Sequence, residues 1–208
     1  MPLIFQQDIT NDSKVGLWDI SENEYFFSKF VISDSDISHP LKRLQTMAGR
    51  NLLIELFPDL PLHLVEIAPT KKPFIPGDPF HFSISHCRNF AAAIVSRTAR
   101  VGVDVELCGD KIIKIKNKFL SEIEQSILDE ISKPEKLKLT ICWSLKEAMF
   151  KWYGLGKIDF KKNLIIKSLQ INNEDFTASC TFKKDIQENL SLDGKIFGDL
   201  CLAWITES

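Results

Sequence analysis

The segment VGVDVE, Val101–Glu106, sets two carboxylates, Asp104 and Glu106, in strict alternation with valines. On an extended strand alternate side chains share a face. Asp104 and Glu106 therefore join Gly102 on one face, and Val101, Val103 and Val105 take the other. Two carboxylates at this spacing repel unless something positive stands between them. A hard divalent cation meets that need, and Mg²⁺ typically takes one or two carboxylates together with substrate phosphates. Gly102 leaves room for another element or a ligand to approach. The plainer reading of the same pattern is an exposed strand face.

A second stretch, WSLKEAMFKWYG, Trp143–Gly154, supplies a third carboxylate. Helical spacing puts Leu145, Ala148, Met149 and Trp152 on one side and Lys146, Glu147 and Lys151 on the other. Glu147 and Lys151 form an i,i+4 pair in its favourable orientation. A surface salt bridge is the plain alternative, but Trp143 and Phe150 among the charges argue against it. Upstream, HFSISHC places Ser85 and His86 where a strand runs into a turn, after a loop carrying Lys71 and Lys72. An imidazole beside lysines can hold a phosphate; a lone histidine there is also commonly structural. Arg43 and Arg50 are seven apart on one helix face and offer bidentate phosphate donors, or simply a solvated face.

These residues need elements to position them. Val15–Ile20 reads as a strand, 22–30 as a short helix with Phe26, Phe27 and Phe30 at helical spacing, and His39–Phe57 as a strong helix. Pro69–Pro79 is a loop by composition. Two strands around the turn at 86–89 make a hairpin, and 99–108 is a third strand. Residues 111–131 hold one or two helices, with Ser121 and Glu124 in capping-box form; 133–136 is a turn before the Trp143 helix. From Lys161 onward the chain reads as strands at 163–171, 176–182 and 196–205. Strand, helices and hairpin thus occur twice, which predicts an α+β protein of two pseudo-symmetric halves, 1–98 and 99–208, with a site in the cleft between them.

Composition narrows the function classes. Of 208 residues 44% are hydrophobic and 26% charged, as in a soluble globular protein. The net charge of −2 gives no basic excess for nucleic acid. No apolar run is long enough to span a bilayer, and the N-terminal residues lack the pattern of a signal peptide. The five cysteines are widely spaced and form no CxxC, so reduced thiols in a cytoplasmic protein are expected.

In this order and spacing, KKPF…FHFSISHC (Lys71–Cys87), VGVDVE and WSLKEAMFKWYGLG (Trp143–Gly156) resemble the 4′-phosphopantetheinyl transferases, over about residues 40 to 160. The mid-chain position of VGVDVE is similar to the larger, surfactin-synthetase-activating type, in which one chain supplies both halves; this implies a monomer. The resemblance implies transfer of 4′-phosphopantetheine from coenzyme A to a serine of an apo acyl or peptidyl carrier protein, with release of 3′,5′-ADP. It implies Mg²⁺, or Mn²⁺, on Asp104, Glu106 and Glu147. It also makes Glu147 the base for the serine, directly or through a water, places Lys151 on the phosphates, and puts Lys146 near the pyrophosphate or the attacking serine. Lys72, Ser85 and His86 would hold coenzyme A phosphates, as would Arg43 and Arg50, with Asp104 and Lys151 also lining the coenzyme A site. Cys87 stands where the family usually has serine, and Lys72 lacks the usual preceding glycine. Lys111, Lys114, Lys116 and Lys118, with isoleucines between them, suit an acidic carrier. Two other readings of the same residues are a metal-dependent nucleotide phosphohydrolase and a non-catalytic coenzyme A- or carrier-binding protein.

Overall fold

The computed structural model describes residues 2–31 and 37–205. The chain divides into two compact units, Met1–Val101 and Gly102–Ser208.

The first unit opens with β1 (Leu3–Thr10) and β2 (Ser13–Asp19), a hairpin closed at Thr10–Ser13. The Asn23 side chain caps α1 (Glu24–Phe27) by accepting from the Phe26 N–H at 3.1 Å. Helix α2 (Pro40–Leu56) starts on a proline, which suits the first turn because its missing N–H has no helical partner there. Its Met47, Ala48, Leu52, Leu53 and Leu56 are buried at the spacing of one helical face. A two-residue ribbon, β3 (Glu66–Ile67) with β4 (Pro73–Phe74), precedes the hairpin β5 (His81–Cys87) and β6 (Phe90–Ser96). The antiparallel sheet runs β1-β2-β6-β5. Trp18, Phe27, Phe57, Phe82 and Val95 share a core with the buried face of α2.

The second unit begins with β7 (Gly102–Leu107), then α3 (Lys111–Phe119), α4 (Glu122–Asp129) and the long α5 (Glu135–Tyr153). Strands β8 (Leu164–Asn172), β9 (Asp175–Lys183), β10 (Gln187–Phe197) and β11 (Leu200–Ile205) complete an antiparallel sheet of order β7-β11-β10-β9-β8. Helix α5 lies against β7 and β11, and its core includes Leu145, Met149, Trp152, Phe176 and Phe182. Both units combine an antiparallel sheet with helices, so the fold class is α+β. No helix among the described residues is long and apolar enough to cross a membrane.

Three elements differ from the sequence reading. Strand β1 has no clear apolar alternation, since it is largely exposed and held by pairing with β2. Helix α5 starts at Glu135, so the turn before it ends at Pro134. Strand β10 begins nine residues before Ile196, and Gly198, at φ +61°, turns the chain into β11.

The face of β7 that carries the carboxylates is not solvated, because α5 covers it. A Cβ on Gly102 would run into the Ala148 carbonyl and lie 2.9 Å from the Trp152 nitrogen. Both are helix backbone and cannot rotate away. Gly102→Ala is expected to cost about 1–3 kcal/mol, the usual range for overpacking a filled core, read as a lowered urea midpoint. An unchanged midpoint would show that α5 does not rest on β7 at this point.

Candidate active site

The second unit brings four of the sequence-predicted residues together: Asp104, Glu106, Glu147 and Lys151. Asp104 and Glu106 project from one face of β7, opposite Ala203 and Cys201 of β11. Asp104 is only 4% exposed. The ammonium of Lys151, on the last turn of α5, lies 2.7 Å from Asp104 Oδ1. Glu106 Oε1 accepts from the Leu107 N–H at 3.3 Å. One turn before Lys151, Glu147 approaches the same strand. Its carboxyl is pushed up to about 7, first by burial and then by the negative charges of Asp104 and Glu106, with Lys151 opposing.

That shift is the test of whether a cation suits the site. Burial, with the charges of Asp104 and Glu106 adding to it, holds a proton on Glu147 near neutrality, and a divalent cation among these three hard oxygen donors is another way to offset their charge. The donor set fits Mg²⁺ in charge and type. Among the described residues, however, no group of three His, Cys, Asp or Glu side chains is closed into a metal cage. Lys151 balances Asp104 instead.

Lys146 requires a correction. It is not open to a ligand: its side chain is fully buried, and its ammonium donates to the Phe119 carbonyl at 2.6 Å and the Phe160 carbonyl at 2.9 Å. Its third contact is Glu124 Oε1 at 2.7 Å, and Glu124 is itself 2% exposed. Three protons and three acceptors leave this ammonium nothing for a ligand. Glu124 Oε1 also accepts from the Ile166 N–H at 2.9 Å, while Oε2 accepts from the Ser121 N–H and hydroxyl at 2.7 and 2.9 Å. The pair therefore ties the end of α3, the start of α4, the middle of α5, the segment after it and β8. Trp143 closes over this node, edge-on to Phe119 at 5.2 Å and stacked on Phe160 at 5.4 Å. The capping-box form of Ser121 and Glu124 was visible in the sequence; the second duty of Glu124 was not.

In the first unit, Arg43 also needs correcting. Its Nε and Nη2 donate to Glu24 at 3.0 and 2.8 Å, and Nη1 to the Ile37 carbonyl at 2.9 Å. The fork that was expected to grip phosphate fastens α1 to α2. Arg50 is half-buried two turns further along α2. Ser85 and His86 are consecutive on β5 and so point to opposite faces of the sheet: Ser85 is buried at 6%, His86 is exposed. One phosphate can take one of those side chains, not both. Beyond His86, Arg88 has φ +49°, and its carbonyl accepts from Gln45 Nε2 at 2.6 Å, which steadies the turn. Lys72 precedes β4. Its ammonium is lowered to about 8, first by burial and then by Arg100, with Asp78 opposing. Two cations driven together favour an anion between them. Nothing in the sequence links Arg100 to Lys72; the fold does.

Residues 100–204, half of the chain, match the model of the 4′-phosphopantetheinyl transferase superfamily. The chain belongs to that superfamily. It is similar to enterobactin synthase component D of Salmonella typhi, 31% identical over 116 residues, covering 54% of this chain and 49% of that protein. The Salmonella austin protein of the same name is 32% identical over 114 residues, covering 54% and 48%. The match thus spans about half the length of these curated relatives.

Proposed function

We propose that this protein transfers the 4′-phosphopantetheine group of coenzyme A to a serine of an apo carrier protein. The observation that carries the proposal is the meeting of Asp104, Glu106, Glu147 and Lys151 on β7 and α5, inside the segment that matches the superfamily. The serine oxygen attacks the phosphorus that bears the pantetheine. The P–O bond to the nucleotide breaks, and 3′,5′-ADP departs. Glu147 accepts the serine proton, directly or through a water. Lys151 stabilises charge gathering on the leaving phosphate. Asp104, Glu106 and Glu147 would hold Mg²⁺, which supplies Lewis-acid stabilisation of the pyrophosphate. Lys72 and His86 of the first unit bind coenzyme A phosphates, with Arg100 reinforcing Lys72 and Ser85 and Arg50 as further donors.

On α3, Ile112 is buried while Lys114 and Lys118 are exposed. Lys116 is paired with Glu135 at 2.8 Å, so Lys114 and Lys118, with the equally exposed Lys111, are the lysines of α3 best placed to steer an acidic carrier. The relatives are named as a component of enterobactin synthase, so a carrier from such a synthase is the first acceptor to try. The test is intact-mass measurement of apo carrier incubated with this protein, coenzyme A and Mg²⁺. A phosphopantetheine-sized gain supports the proposal. Phosphate released from coenzyme A without a gain points to a hydrolase, and binding with neither points to a non-catalytic relative.

A further inference from the structure

Past the end of α5 the chain turns through Gly154, Gly156 and Lys157, all left-handed, at φ +73°, +70° and +53°. Between the two glycines stands Leu155, 62% exposed. A short exposed loop with a large apolar tip tends to be mobile; this one is fastened. The Tyr153 hydroxyl donates to Asp185 Oδ2 at 2.6 Å, and its ring stacks on Phe182 at 4.6 Å. Lys184 donates to the Gly156 carbonyl at 3.2 Å and lies over the Tyr153 ring at 5.0 Å. Lys184 and Asp185 belong to the turn between β9 and β10, and that turn carries a second exposed apolar side chain, Ile186, 41% exposed. Two apolar tips are thus held on loops that are hydrogen-bonded to each other.

The surround is basic. Lys157, Lys161 and Lys183 are exposed. The acids nearby are fewer: Asp185 accepts from the Tyr153 hydroxyl, Asp159 Oδ1 accepts from the backbone N–H groups of Lys161 and Lys162 at 2.9 and 3.0 Å, and Glu188 is exposed. At about 1.5 Å per helical residue, the end of α5 lies roughly 10 Å from Glu147.

Resting on the transferase reading, we infer that Leu155 and Ile186 form an apolar docking point for the acidic carrier protein whose serine is modified. Fixed apolar side chains ringed by cations suit a partner with an apolar contact inside a negative field. Placement just beyond the catalytic helix suits an acceptor whose serine must reach that helix.

The experiment measures transfer from coenzyme A to an acidic apo acyl carrier protein for the wild type, Leu155→Asp and Ile186→Asp. Each variant is expected to raise the carrier KM by about tenfold or more and to leave kcat and the coenzyme A KM within twofold. An unchanged carrier KM in an active enzyme overturns the docking point while leaving the transferase reading intact. A fall in kcat with the carrier KM unmoved also overturns it, since the loop would then be positioning α5. Co-sedimentation with phosphatidylserine vesicles that Leu155→Asp abolishes, with carrier KM unmoved, overturns it in favour of a lipid surface. A wild type that adds no mass to the carrier overturns the transferase reading, and the docking point with it.

Discussion

Lys146→Ala is expected to cost about 3–5 kcal/mol of folding free energy, the range for removing one partner of a buried ion pair. The variant strands the Glu124 carboxylate, which is 2% exposed, and removes the donor from the carbonyls of Phe119 and Phe160. Burial holds the ammonium below the ordinary lysine range, with the Glu124 carboxylate opposing. The loss should therefore be contingent on Glu124: Lys146→Met combined with Glu124→Gln should recover part of the stability, because no charge is then left buried and the amide keeps an acceptor for Ile166. Urea unfolding of the two variants beside the wild type measures this. A lysine working on the pyrophosphate predicts the opposite pattern, with stability kept and transfer lost. A cost below about 1 kcal/mol, the range of exposed pairs, would refute the structural assignment.

The same lysine shows what the sequence could and could not convey. Alternation in VGVDVE and helical spacing in WSLKEAMFKWYG were enough to place Asp104, Glu106 and Glu147 on one strand and one helix, because periodicity is local. Helical spacing also put Lys146 on the charged side of α5 together with Glu147 and Lys151. Periodicity says which side chains share a sector of a helix; it does not say what that sector meets. Lys146 meets Glu124 from α4, a partner twenty-two residues away, and Lys151 meets Asp104 from β7. Arg43 failed for the same reason: its acceptors Glu24 and Ile37 lie outside its helix. Strand β1 was illegible because its stability comes from pairing with β2 rather than from an apolar face. The separation of Ser85 from His86 was legible, since adjacent strand residues always face apart.

Glu147→Gln should produce two changes of opposite benefit. Transfer should fall by about 10³-fold or more, because the variant lacks both a proton acceptor and a negative ligand. Stability of the metal-free protein should rise, but only at the higher pH. The Glu147 carboxyl titrates near 7 in the folded chain against an ordinary value of 4.5. Between those values the folded state binds more protons than the unfolded state, so wild-type stability falls as pH rises through the window. Glutamine keeps the shape without the charge. Near pH 4 the two proteins should differ little, and at about pH 8 the variant should be more stable by on the order of 2 kcal/mol. Mg²⁺ should then close the gap, since it stabilises the ionised wild type and has less to hold in the variant. Urea midpoints at the two pH values, with and without Mg²⁺, beside mass-detected transfer, test all of this together. A variant that still transfers removes Glu147 from the chemistry. One that loses transfer but shows no pH-dependent gain in stability means that Glu147 is neither desolvated nor crowded by Asp104 and Glu106, and no cation is then needed between them.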